Sequence, residues 1–307
     1  MGVRMQNIPF TIEGTGSLIT FVATHKNELE KNLSEYGALL LRGFNTHSMD
    51  EFQKISEMMC EELVDYVFRS TPRTRLIGKV YSSTEYPNNH EIPLHNENSY
   101  SLNWPGKVCF YCLVEPYQCG ETPIANSHNV YQLIDPAVRQ EFEQKKIMYV
   151  RNYGLGIDLP WQEVFQTQKK SEVERFCEAN AILFEWFEND SRLRTKQICQ
   201  AVIRHPLHGI RLWFNQAHLF HESANDPEVR EYFSNNYRSD EFPRNCFFGD
   251  GTPIDDKLLA HIREAYTNAK IIFPWKKGDL LILDNLHYAH GRRPFQGERK
   301  IIVTMGK

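Results

Sequence analysis

The chain has 307 residues, of which 41% are apolar and 24% charged, with a formal net charge of −4. This composition fits a soluble globular protein with one large core. The charge balance and the lack of any concentrated run of Lys and Arg argue against a nucleic-acid partner. With no apolar run of about 18 residues and no signal-peptide core at the N-terminus, neither a membrane span nor export is expected.

Residues 1–23 alternate weakly and suggest an edge strand. From Thr24 to Tyr36 the period turns helical, with Leu29, Leu33 and Tyr36 on one stripe and Gly37 placed to stop it. Ala38–Phe44 reads as a short buried strand, Ser48 with Glu51 as a capping box for a helix through Phe52, Ile55 and Met59, and Leu76–Tyr81 as a strand. A polar, turn-rich stretch then leads to Glu91-Ile-Pro-Leu-His-Asn-Glu-Asn-Ser-Tyr100. Strands follow over Val108–Glu115, Thr122–Asn126 and Lys146–Tyr153, with a helix from Asp135-Pro to about Lys145.

Residues 154–200 are irregular and aromatic-rich, with one helix opened by Ser171 and Glu174. A stretch of that length suits an insertion or lid within a single domain spanning 1–307. Strands return at Ala201–His205 and Ile210–Asn215, and helices at Asp226-Pro and Asp255–Asn268. Three last strands are expected at Lys270–Trp275, Asp279–Asp284 and Lys300–Met305. Many short strands, with helices mainly early and in insertions, favour a mainly β fold: a double-stranded β-helix, or jelly roll, with helical decoration. Strand and helix do not alternate as a doubly wound sheet requires.

Seven cysteines, scattered at 60, 109, 112, 119, 177, 199 and 246, form no disulfide framework and point to a reducing cytoplasm. Cys109 and Cys112 make a C-x-x-C, but inside an apolar strand and with no second pair at zinc spacing.

The chemistry starts at His95 and Glu97. In an extended backbone, residues two apart point to one side, so an imidazole and a carboxylate can face one ion. A distant histidine would complete the two-His-one-carboxylate facial triad of non-haem Fe(II) oxygenases. His287 and His290, just past the apolar strand Asp279–Asp284, are the candidates, and Gly291 would allow close approach at His290.

His95-x-Glu97, Thr122 in Gly120-Glu-Thr-Pro-Ile-Ala, His290-Gly-Arg and Arg299 resemble, in this order, the taurine dioxygenase-like (TauD/TfdA) family of Fe(II)/2-oxoglutarate oxygenases. Ile92-Pro-Leu-His-Asn-Glu, Trp213-Phe-Asn-Gln, Phe248-Gly-Asp-Gly and Leu283-Asp-Asn bring the resemblance nearer to the branch typified by the syringomycin-pathway aspartyl hydroxylase. It runs from about residue 30 to the C-terminus. It implies His290 as third ligand, Fe(II) as metal, and 2-oxoglutarate and O₂ as co-substrates. It also implies that Arg299 and Thr122 grip the far carboxylate of 2-oxoglutarate, for which a guanidinium fork is suited. Arg299 follows His290 by nine positions, shorter than the usual family spacing, which keeps Arg292 and Arg293 as alternatives. Related halogenases hold a small residue at the carboxylate position; Glu97 there favours hydroxylation.

The branch implies an amino acid or derivative as substrate, free or carrier-tethered, in natural-product biosynthesis. Asn98, Tyr100, Asn215 and Gln216 are candidate substrate contacts, and Arg69, Arg73 and Arg151 candidate carboxylate anchors. Asn96, between the ligands, should point away from the iron. Competing readings are desaturation or cyclisation by the same cofactor, a jelly-roll binding protein without turnover, a zinc hydrolase on the same triad, and a separate zinc site at His218 and His221.

Overall fold

Strands with two buried faces set the architecture. Along Lys107–Val114, Cys109 and Tyr111 join one apolar cluster while Val108, Phe110 and Cys112 join another. Ala38–Arg42 and Leu280–Asp284 divide likewise: Leu39, Leu41, Leu280 and Ile282 face one way, and Ala38, Leu40, Leu281 and Leu283 the other. Side chains that alternate across a pleat and are apolar on both faces require a layer on each side.

The computed structural model, which describes residues 9–46, 48–187 and 191–307, supplies both layers. The central sheet has seven strands in the order Phe10–Glu13, Ala38–Arg42, Leu280–Asp284, Lys107–Val114, Lys300–Gly306, Val80–Ser82 and Arg75–Ile77. Helices Leu18–Tyr36 and Met49–Met59 cover one face through Leu18, Val22, Leu29, Leu33, Phe52, Ile55 and Met59. On the other lies a four-stranded sheet, Lys270–Ile271, Ile124–Asn126, Tyr288–Arg292 and Ile92–His95. The two sheets form the expected jelly-roll core, mainly β with helical decoration. A further four-stranded sheet, Leu183–Phe187, Arg192–Cys199, Ile147–Tyr153 and Arg244–Phe248, packs with helices in a third apolar cluster. Among the described residues no helix is long and apolar enough to cross a membrane.

Local chemistry explains most element ends. Gly37 stops the first helix at φ 71°, donating to the Leu33 carbonyl, and Ser48 Oγ accepts from Glu51 N at the second. The first helix begins at Leu18 rather than Thr24, because Ser17 caps it by accepting from Thr20 N. Of the expected N-terminal edge strand, Phe10–Glu13 is a strand and residues 1–8 lie outside the described residues.

Three other expectations need correction. Leu76–Tyr81 is not one strand but a hairpin, Arg75–Ile77 with Val80–Ser82, which turns at Gly78 with φ 40°. Residues 154–200 are not largely irregular. They hold helices Trp161–Phe165 and Lys170–Ala179, the latter following Lys169 without a side-chain cap, and strands Leu183–Phe187 and Arg192–Cys199. Only Lys270–Ile271 of the expected Lys270–Trp275 strand pairs; Trp275 turns inward instead, donating to Thr122. Cys109 and Cys112 are three apart on one strand and so face opposite clusters, which removes a shared zinc or redox role.

Candidate active site

The strands Ile92–His95 and Tyr288–Arg292 pair antiparallel with His95 opposite His290. His290 is therefore on a strand between two neighbours, not on a loop beyond one as its sequence suggested. The role of Gly291 also differs from the expected one: a Cβ there would lie 2.5 Å from the Ile92 carbonyl oxygen, so glycine admits the neighbouring strand rather than a ligand. Glu97 comes just after its strand ends, in a turn where Asn98 has φ 56°.

One ligand atom each from His95, Glu97 and His290 lie within 4.8 Å of one another. The imidazole rings are 4.8 Å apart by centroid, and His290 Nε2 is 3.6 Å from Glu97 Oε2, too long for a hydrogen bond. Neither nitrogen of buried His290 has a hydrogen-bond partner among the described residues. Burial, then the neighbouring His290, lowers the His95 pKa to about 4, which keeps that ring neutral and able to ligate. Its Nδ1 is oriented by the Pro93 carbonyl at 2.8 Å. Burial penalises the Glu97 carboxylate, but Arg73 and the two imidazoles outweigh this and hold its pKa well below the usual range. A neutral His95 ring, an ionised carboxylate and a His290 ring with no hydrogen-bond partner among the described residues are a donor set suited to Fe(II).

Two buried contacts that the sequence did not reveal hold Glu97. Arg73 Nη2 donates to Glu97 Oε2 at 2.7 Å, both side chains being buried. Asn285 grips the backbone: its Oδ1 accepts from Glu97 N at 2.7 Å and its Nδ2 donates to Glu97 O at 3.0 Å. Asn96 points away from the triad, donating to the Asn285 carbonyl and Ser127 Oγ. Only the Leu283-Asp-Asn motif hinted at Asn285, and nothing local linked Arg73 to Glu97.

The same cleft is lined by Thr122, Arg299, Arg73 and Phe110 together with His95 and His290. Thr122 Oγ1 accepts from Arg299 Nη2 at 3.2 Å and Trp275 Nε1 at 3.0 Å, which directs its own proton elsewhere. Among the described residues Arg299 has no carboxylate at ion-pair distance; burial, then Arg292, lowers its pKa to about 10. An unpaired, disfavoured cation beside a free hydroxyl proton suits an incoming carboxylate. Arg292 spends its donors on the carbonyls of Tyr86, Pro87 and His90, and Arg293 pairs with Glu121.

The chain from residue 13 to 305 matches the model of the "Taurine catabolism dioxygenase TauD, TfdA family". The chain belongs to this family. It is 44% identical over 277 residues to the dapdiamide synthesis protein DdaC of Enterobacter agglomerans, covering 90% of this chain and 84% of that one. It is 30% identical over 296 residues to a clavaminate synthase-like protein of Arabidopsis thaliana, covering 93% and 86%. Among solved structures, an asparagine oxygenase superposes with a TM-score of 0.56 at 12% identity, covering 91% of this chain and 79% of that one, and shares the fold. The protein is an Fe(II)/2-oxoglutarate-dependent dioxygenase.

Three of the four candidate substrate contacts, Tyr100, Asn215 and Gln216, are otherwise engaged. Asn215 is fully buried, donating to Ala201 O and accepting from Ala217 N, and Gln216 Nε2 donates to Asn96 O. Tyr100 donates to Phe68 O at 2.7 Å, and its hydroxyl lies 3.3 Å from Asn98 Oδ1. His218 and His221 do not form a metal group: His218 donates to Leu94 O, His221 accepts from Ser223 N, and neither joins a set of three ligands among the described residues.

Proposed function

We propose that the protein hydroxylates an unactivated C–H bond of an amino acid or amino-acid derivative, with His95, Glu97 and His290 as iron ligands and Thr122 and Arg299 holding the distal carboxylate of 2-oxoglutarate. The observation that carries this reading is the single cleft in which an orphaned His290 and a carboxylate-seeking Thr122–Arg299 pair face each other. The names of the two relatives, one for dapdiamide synthesis and one as clavaminate synthase-like, support a biosynthetic setting.

When bound, iron and 2-oxoglutarate supply an oxidant from O₂, with succinate and CO₂ as by-products. The chain's own contribution is placement. Strand pairing fixes His95 against His290, Arg73 fixes one oxygen of Glu97, and Asn285 fixes its backbone. Phe110 stands edge-on to the His290 ring at 5.0 Å and shields it from water. Glu97 occupies the position that a halide would need, which favours hydroxylation over halogenation.

The test is anaerobic addition of Fe(II) and 2-oxoglutarate, reading the visible charge-transfer band of the chelate. Succinate release is then followed across free and carrier-bound amino acids, with product mass separating hydroxylation from desaturation. A band in the wild type that disappears in Glu97→Ala and His290→Ala is expected. A band that survives both substitutions overturns the ligand assignment, and no band in the wild type overturns the cofactor site.

A further inference from the structure

Arg151 is a buried cation with no role in the metal or 2-oxoglutarate chemistry. It lies on the strand Ile147–Tyr153 and is 2% exposed. Its Nη2 donates to the Arg69 carbonyl at 2.7 Å, while Nε and Nη1 have no hydrogen-bond partner among the described residues. Among the described residues no carboxylate lies at ion-pair distance from it. The guanidinium is flanked by the rings of Phe68 and Tyr153, with centroids 5.2 and 5.0 Å away. Aromatic faces offset part of the cost of burying a charge, but an unpaired buried guanidinium remains a costly arrangement that an apolar side chain would avoid.

The surroundings are rich in cations. Arg73 is paired with Glu97 and Arg244 with Asp158, whereas Arg69 spends its donors on the carbonyls of Tyr66 and Arg73 and on Gln166. Among the described residues Arg69 and Arg151 are thus left without an ion pair, although Asp158, held by Arg244, is near enough to act on Arg151. Cofactor binding does not restore balance, because Fe(II) and doubly charged 2-oxoglutarate cancel.

Residues 66–73 connect this region to the metal site. This segment delivers Arg73 to Glu97, and the successive carbonyls of Phe68, Arg69 and Ser70 accept from Tyr100, Arg151 and Arg244. Phe68 has φ 52°, a left-handed conformation rare for a bulky side chain and of the kind that clusters at ligand sites.

We infer that Arg151 anchors a free carboxylate of the substrate, which then extends past Tyr100 toward the His95–Glu97–His290 triad. The inference rests on the amino-acid reading above and narrows it. An amino acid joined to a carrier through its only carboxyl group would not satisfy Arg151; a free acid, or a tethered substrate with a second carboxylate, would.

The test measures succinate release by the iron-loaded enzyme with the proteinogenic L-amino acids and two dicarboxylic monoamides, each against its carboxyl-blocked amide. Free acids are expected to stimulate release and blocked forms not to. Arg151→Gln should raise KM about 10- to 100-fold, as for loss of a charged hydrogen-bonded partner. Arg151→Lys should recover part of this, keeping the charge but not the fork. The chelate band should persist in both. Equal stimulation by blocked and free forms, no stimulation by any carboxylate, or an Arg151→Gln KM within twofold of wild type overturns the inference. If that variant does not fold, the comparison of free and blocked substrates in the wild type decides. An absent chelate band indicts the cofactor site instead, so the two failures are distinguishable.

Discussion

Among the described residues there are two clusters of three potential metal ligands, each with its ligand atoms within 4.8 Å, and they differ in how far those atoms are committed elsewhere. In the His95–Glu97–His290 cluster, His290 has no hydrogen-bond partner on either nitrogen. In the His205–His208–His287 cluster His287 Nδ1 is likewise without a partner among the described residues, but the other two rings make hydrogen bonds. His205 Nδ1 accepts from Leu207 N and His208 N, so its Nε2 carries the proton and donates to Asp284 at 3.0 Å. His208 Nε2 donates to Ser34 O, and the rings of His205 and His287 stack at 4.4 Å. To ligate through Nε2, His205 would have to surrender that proton and become an imidazolate. Ligand count does not distinguish the clusters; the commitment of both His205 nitrogens, to Asp284 and to the backbone, does.

The largest effect expected is on metal binding. Glu97→Ala and His290→Ala should abolish the chelate band and succinate release, whereas His205→Ala and His287→Ala should retain the band. Loss of the band in His287→Ala would mean that the two clusters are not functionally distinct.

The next largest is in stability. Arg73→Met leaves the Glu97 charge buried without its partner, and breaking such a pair costs about 3–5 kcal/mol. Urea denaturation of the metal-free protein should show that loss, and Glu97→Gln in the Arg73→Met background should recover part of it. Equal stability of Arg73→Met and wild type would show that the pair does not hold the carboxylate.

Smaller again is the expected effect of Asn285→Ala, which removes both contacts to the Glu97 backbone. Removing a group that orients a metal ligand typically lowers affinity about 10- to 100-fold. Equilibrium dialysis with Fe(II) under nitrogen reads this directly; unchanged affinity would sink the positioning role.

These residues mark how far the sequence could be read. His95 and Glu97 were legible as a pair from their two-residue spacing, although the extended backbone that this spacing implies ends at His95 and Glu97 sits in the turn beyond it; Gly37 and Ser48 were legible because helix ends have local rules. Thr122, Arg299 and the choice of His290 over His287 came from motif order, since both histidines follow the same apolar strand. Arg73 and Asn285 were not legible as partners of Glu97: they lie 24 and 188 positions away, and only the folded sheets bring them to it. The hairpin at Gly78 was missed because its strands are three residues each, and Arg192–Cys199 because two of its inward positions, Thr195 and Gln197, are polar and hide the alternation.

A last effect concerns protons. Burial lowers the His287 pKa to about 4, against which Asp284 acts in the raising direction and His205, His208 and His128 in the lowering one. The unfolded chain takes up this proton near pH 6.5, so between about 6.5 and 4 it binds a proton that the native state does not. Stability contributed by a neutral buried His287 is therefore complete above that window and falls as pH drops through it, by at most about 1.4 kcal/mol per pH unit. His287→Asn should flatten this limb in thermal melts recorded from pH 6.5 to 4 and leave the chelate band at pH 7 intact. An unchanged slope would mean that His287 does not stay neutral across the window. A flattened slope with the band preserved would establish that burial holds His287 neutral and that His287 takes no part in iron binding.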